Sequence, residues 1–283
     1  MEGLKLIIDS GATKTEWRLI GQNKRSKTYL TPGITPYQMD TAAIVSLMKS
    51  TLPPSMLLKP ISQVFYYGTG CKTKAKAAIV RSALKNVFTA AQIHVTHDLM
   101  AAAIATCGNK PGIACILGTG SNSCQFNGKK IVKNSPGLGY VLGDEGSGAY
   151  LGIRVIRHYL YGIFDKPLMV AFEKAFKTSK DEILQKVYKE PMPSRYLAGY
   201  SKFLSDHRGH FMIENIIEDG IRDFFDQHLC SYGQNSNVPI HFVGSIAYFF
   251  QDKIDELCLE YGFKRGLIMR QPMIGLSKYH QHH

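Results

Sequence analysis

Apolar positions in this chain fall in short runs divided by glycine-bearing polar segments, a pattern that predicts buried strands and tight turns. Leu4 to Ile8 and Trp17 to Ile20 are two such runs, joined by Asp9-Ser10-Gly11-Ala12-Thr13-Lys14, and predict a hairpin. Ser62 to Tyr67 predicts a third strand. After Gly68-Thr69-Gly70 the spacing turns helical from about Lys72 to Phe88. Ile93 to Thr96 is another short strand, and an alanine-rich helix begins at Asp98. Strands alternating with helices after an opening hairpin signal an α/β unit with a mixed sheet.

The same programme restarts at Gly112. Ile113 to Leu117, Ser121 to Phe126 and Lys130 to Val132 predict a meander, with Asn127-Gly128 supplying a type I′ turn. A glycine-rich loop, Pro136-Gly137-Leu138-Gly139, leads through Gly143-Asp144-Glu145-Gly146-Ser147-Gly148 into a helix ending near Tyr161. From Lys166 to Tyr232 the pattern is mostly helical, and Ser179 with Glu182 reads as a capping box. Pro239 to Val243 predicts a last buried strand, and Gly244-Ser245 opens a helix running to about Tyr261. Two α/β units, each opening on a glycine-interrupted hairpin, suggest a duplication of pattern.

Composition narrows the class. At 283 residues the chain is long enough for two domains, and 45% hydrophobic with 20% charged residues is ordinary globular matter. No apolar run is long enough for a membrane span and the opening lacks a signal-peptide layout, so a cytoplasmic protein with no membrane partner is expected. Cys71, Cys107, Cys115, Cys124, Cys230 and Cys258 are scattered without metal-binding spacing and read as reduced, partly buried thiols. The formal charge of +12 is spread along the chain. Its densest patch, Lys72 to Lys76, reads as a solvated helix face, and no nucleic-acid partner is expected. The tail bearing His280, His282 and His283 is expected to fray rather than to hold a metal.

The candidate chemistry lies in the glycine-bearing turns. In Gly118-Thr119-Gly120-Ser121-Asn122, glycines let backbone amides converge without a Cβ in the way, and such amides bind phosphate oxygens. A Gly-rich hairpin turn is the plainer reading of that segment alone. The first hairpin offers the same turn at Gly11 with a carboxylate, Asp9, able to hold Mg²⁺ through water, and with Thr13 and Lys14 in reach of a phosphate. Phe242-Val243-Gly244-Ser245 is a strand, a small-residue turn and a helix, where glycine admits close approach of a ring or ribose. Asp98 is either an N-cap or a base at a strand's carboxyl end, and Asp144 either caps a helix, bonds sugar hydroxyls or helps organise the metal.

Taken in order, DSGATKT, GTG at 68–70, THDLMAAA, GTGSN, PGLGYVLGDEGSG and FVGSIA resemble the actin-like ATPase superfamily of sugar kinases, Hsp70 and actin. Within it the chain resembles the BadF/BadG/BcrA/BcrD group and the N-acetylglucosamine kinases. The resemblance implies two RNase H-like lobes with ATP in an interlobe cleft: an N-terminal lobe, 1–110, with a closing helix, 266–283, packed back on it, and a C-terminal lobe, 111–265, with a helical insertion. It implies Asp9 facing Mg²⁺, Thr13, Thr119, Gly244 and Ser245 on ATP, and Asp98 as the base for a sugar 6-hydroxyl. Ser121, Asn122, Gly137, Leu138, Gly139 and Asp144 fall where these kinases contact the amino sugar. Thr35 stands where the family often has an asparagine amide, and Leu138 where the eukaryotic kinases often have tryptophan. The activity implied is ATP-dependent phosphorylation of N-acetylglucosamine or a related amino sugar, with a homodimer, common among such kinases, as the assembly to test. The alternative within the group is an ATPase that drives a conformational change or electron transfer in a partner enzyme.

Overall fold

A computed structural model of the chain describes residues 3–21, 26–233 and 238–282. The chain divides into two compact units, residues 1–108 with 272–283 and residues 109–271. Each is built on a five-stranded sheet, so the α/β class expected from the pattern holds.

In the first unit β1 (Leu4–Ser10), β2 (Lys14–Ile20) and β3 (Lys27–Pro32) form an antiparallel meander, while β4 (Ile61–Gly68) and β5 (Gln92–Thr96) continue the sheet parallel to β1. The order is β3-β2-β1-β4-β5. Alternation along β1 serves two cores. Leu6 and Ile8 pack with Trp17, Val80 and Leu84 on one face, and Ile7 packs with Ala101, Ala105, Met273 and Leu276 on the other. Trp17 is wholly buried, and its indole N–H is satisfied by Thr31 Oγ1 at 2.9 Å. Helices therefore cover both faces, which leaves the carboxyl ends of the parallel strands to carry loops.

The second unit repeats this frame. β6 (Pro111–Leu117), β7 (Ser121–Asn127) and β8 (Ile131–Asn134) form the meander, and β9 (Ile240–Val243) and β10 (Arg265–Met269) run parallel to β6. Its order, β10-β9-β6-β7-β8, is the first unit's read from the other edge. Helices between Gly148 and Phe224 pack an aromatic cluster in which Phe172 stacks on Tyr159 at 4.0 Å and meets Phe203 edge-on.

Several expectations need correction. The strand ending at Val243 is not the last, because Arg265–Met269 forms β10 with Ile268 opposite Phe242. The closing helix is therefore Met273–His282, not 266–283. A Cβ at Gly266 would lie 2.5 Å from His241 Nδ1, so glycine is what lets this strand lie close. The helix opened at Ser245 stops at Phe249 and restarts at Gln251, because Phe250 turns out of helical geometry to bury its ring. The Asn127-Gly128 turn has positive φ at Gly128 alone, so it is not the expected type I′ turn, which needs positive φ at both central residues. The histidine tail does not fray: His280 is buried, stacks on Phe65 at 3.9 Å and shares a 2.8 Å hydrogen bond with the Tyr67 hydroxyl, while His283 lies outside the described residues. Among the described residues, no helix is long and apolar enough to cross a membrane.

Candidate active site

In the first unit the expected residues gather at the carboxyl ends of β1, β4 and β5, the position where open α/β sheets bind ligands. Register sets this up: Asp9 lies opposite Tyr67, and Tyr67 opposite Thr96, two residues before Asp98. The Gly11 amide donates to Lys14 O at 3.0 Å and closes the hairpin. Buried Ser10 lies 2.7 Å from Thr15 across the turn, and the Thr69 amide donates to Ser10 O at 2.9 Å. That last bond ties the Gly68-Thr69-Gly70 turn to the end of β1. The segment carrying Thr35 is drawn in by Gly33, whose amide donates to Thr13 O at 3.1 Å. A Cβ at Gly33 would lie 2.4 Å from Gly11 O, so only glycine permits the approach.

Asp98 is not the N-cap. His97 occupies that position without a side-chain cap, and Asp98 opens the helix Asp98–Cys107. Its Oδ1 accepts the Leu99 amide at 2.9 Å, and the Thr69 hydroxyl also bonds its carboxylate. Burial holds Asp98 above the usual carboxylate range, opposed by His97 and these donors. Asp9 is pushed up to about 7, first by burial and then by the charges of Asp98 and Glu16, with Lys14 opposing. Thr69 and Glu16 were not singled out in the sequence. The Gly-Thr-Gly motif at 68–70 was a signal for the first, and strand alternation opposite Asp9 could have found the second.

In the second unit, Gly118-Thr119-Gly120 links β6 to β7. The amides of Gly148 and Ala149 donate to Gly118 O and Thr119 O at 2.8 and 3.0 Å, so the first N–H groups of the helix Gly148–Leu160 fix the loop. A Cβ at Gly244 would lie 2.0 Å from Leu117 O, and its φ of +132° is a glycine conformation. The turn opening the helix Ser245–Phe249 thus lies directly against the end of β6.

Asp144 caps nothing. Ser147 is the N-cap of Gly148–Leu160, accepting the Tyr150 amide at 3.2 Å, whereas Asp144 has φ +58°, a strained value for a non-glycine residue. Its carboxylate lies against Gly120 and accepts the Ser121 amide; burial raises its pKa and that hydrogen bond lowers it. Ser121 is only 7% exposed, and its hydroxyl has no hydrogen-bond partner among the described residues. A buried hydroxyl without a partner fits a group that meets one on ligand binding. Asn122 Oδ1 accepts the Ser123 amide and Asn134 Nδ2 at 2.9 and 3.0 Å, and a Cβ at Gly137 would lie 3.2 Å from Asn122 Nδ2. The structure therefore brings Gly120, Ser121, Asn122, Gly137 and Asp144 together. Leu138 stands apart as an exposed side chain, and Gly139 opens the short helix Gly139–Leu142.

No family model and no curated protein matches the chain. Solved structures do. A Porphyromonas gingivalis protein provisionally named an N-acetylglucosamine kinase is 38% identical over 98% of both chains, with TM-score 0.93. A Chromobacterium violaceum protein with the same provisional name is 18% identical over 98% of both chains, with TM-score 0.69. A ROK family glucokinase from Streptomyces griseus, solved with glucose and AMPPNP, is 14% identical over 98% of both chains, with TM-score 0.56. The last two show the fold. The first, alike in residues along nearly its whole length, shows that the chain belongs to the same family of sugar kinases with the actin-like ATPase fold.

Proposed function

We propose that the chain transfers the γ-phosphoryl group of ATP to the 6-hydroxyl of an amino sugar, N-acetylglucosamine foremost. The observation that carries this reading is Asp98: a desolvated carboxylate at a strand's carboxyl end, steered by Thr69 and Leu99. Raised above its ordinary range, such a carboxylate is a better proton acceptor for a sugar hydroxyl. The identity to the P. gingivalis protein supports the choice of sugar, as does the cluster around Asp144, where a carboxylate, a buried serine hydroxyl and an asparagine amide suit a polyhydroxylated ring carrying an amide.

The Gly11–Lys14 and Gly118–Gly120 turns supply amides and hydroxyls to phosphate oxygens, and Gly244-Ser245 leaves room for the nucleoside. Carboxylates that repel one another at Asp9, Asp98 and Glu16 fit a hard divalent cation. Asp9 would hold it, and bound Mg²⁺ supplies charge neutralisation to the phosphate oxygens. Asp98 takes the proton of the acceptor hydroxyl as it attacks.

The alternative, an ATPase energising a partner enzyme through a cysteine-held cluster, fits less well. Cys115 and Cys124 are wholly buried in β6 and β7, and Cys107 is buried in its helix. The deciding experiment is an ADP-release assay with Mg·ATP and a panel of hexoses and amino sugars. ADP release stimulated by N-acetylglucosamine, with a 6-phosphosugar product, is expected; release indifferent to every sugar would overturn the reading.

A further inference from the structure

The Asp144 corner is held from outside its own loop. The helix Phe211–Phe224 runs on into one wide π turn, Phe225–Leu229, a feature frequent at functional sites. That turn carries His228 inward until it is 3% exposed, with its ring stacked on Phe224 at 4.7 Å. His228 Nε2 lies 3.1 Å from Glu145 Oε2, and Nδ1 has no partner among the described residues. A bare acceptor lone pair is more tolerable in a core than a bare N–H, so the proton belongs on Nε2, donated to Glu145. The same helix end receives the next residue, since a Cβ on Gly146 would lie 2.8 Å from Phe224 Cβ.

We propose that His228 is a positioning residue: by gripping Glu145 it holds the strained Asp144 backbone so that the Asp144 carboxylate stays on the Ser121 amide, oriented for the amino sugar. The assignment of Asp144 to the sugar rests on the function proposed above; the mechanical link from His228 to Asp144 does not. Freed from His228, the Glu145 carboxylate would be an unpaired charge next to Asp144, whose pKa Glu145 already raises. Histidine at this place thus sets both the geometry and the charge of a sugar contact without touching sugar.

Two variants separate this from packing. His228→Phe keeps an aromatic ring on Phe224 and removes the donor, whereas His228→Gln restores an N–H for Glu145. The expected result for His228→Phe is a rise of about tenfold in KM for N-acetylglucosamine with KM for ATP unchanged, the scale of one lost hydrogen bond to a charged group. Amide exchange at Ser121, measured without sugar, should quicken by a similar factor, and His228→Gln should recover most of both. Unchanged Ser121 exchange in His228→Phe, or equal losses in the two variants, overturns the proposal. Should the wild-type protein use no sugar in the panel, the exchange measurement still decides: quickened Ser121 exchange sustains the positioning role while the kinase reading falls. Should His228→Phe fail to fold, Glu145→Ala removes the other partner and is held to the same exchange criterion.

Discussion

The two units share one frame and divide the chemistry. Where β1 ends in Asp9-Ser10, β6 ends in Ile116-Leu117, and where β5 leads into Asp98, β10 leads into Gln271. The first unit therefore collects carboxylates at its strand ends. The second offers backbone amides, hydroxyls and an asparagine amide, plus the Asp144 carboxylate, already engaged by a backbone donor. A sheet of given topology fixes where loops emerge, and the residues placed there fix what the loops do. On the function proposed above, one unit would move a proton and hold a cation, and the other would grip neutral and phosphorylated groups.

The sharpest way to break this division is at Asp98. Asp98→Asn keeps the shape and the Leu99 contact but removes the base, and turnover should fall by ~10²–10⁴ while ATP still binds. Wild-type rates in steady-state assays would remove Asp98 from the chemistry. In the second unit the matching test is structural. Gly244→Ala puts a Cβ where Leu117 O already lies and forces a glycine conformation on alanine, so stability should fall by about 3 kcal/mol or more. Calorimetry checks it, and an unchanged melting temperature would mean that the turn accommodates a side chain.

Asp9 gives a pH signature. Its pKa of about 7 in the folded chain exceeds the ordinary 3.8, so the folded state holds that proton more firmly than the unfolded state. Its contribution is full below the ordinary value and is lost as pH rises through about 7. Asp9→Asn should match wild type near pH 4 and be the more stable of the two at pH 8, and Mg²⁺ should narrow the gap at pH 8. Thermal melts across that range read the outcome. The smallest effect is expected at Ser121. Since its buried hydroxyl has no partner among the described residues, Ser121→Ala should leave stability within about 1 kcal/mol of wild type or raise it, while weakening sugar binding. A clear loss of stability would show that the hydroxyl already has structural work.

The turns were legible because their chemistry is local. Glycines, hydroxyls and an aspartate within a few residues announce a loop that brings amides together, whatever surrounds it. β3 gave no such signal: Lys27–Pro32 is a largely exposed edge strand with no continuous apolar run. β10 carries no strand signal of its own: Arg265–Met269 is short and half-exposed, and only its pairing with β9 marks it. Asp98 and Asp144 were both open to a capping role, and the backbone decided against it in each case, by one residue at Asp98 and by a left-handed turn at Asp144. His228 was out of reach for sequence reasoning, since 83 residues separate it from Glu145 and no periodicity marks a π turn.

The helix Met273–His282 belongs to the first unit, packing Gly275 so closely on Ala105 that a Cβ would lie 2.2 Å from its carbonyl oxygen. The second unit is thus an insertion within the first, so on the ribosome the first unit is begun before the second and completed after it. The face of the first sheet that carries Ile7 is covered by Met273 and Leu276, which come only after residues 109–271. Until those residues emerge, Ile7 and Ala101 lack part of their apolar cover, so that face of the first sheet depends on a helix made after the whole of the second unit.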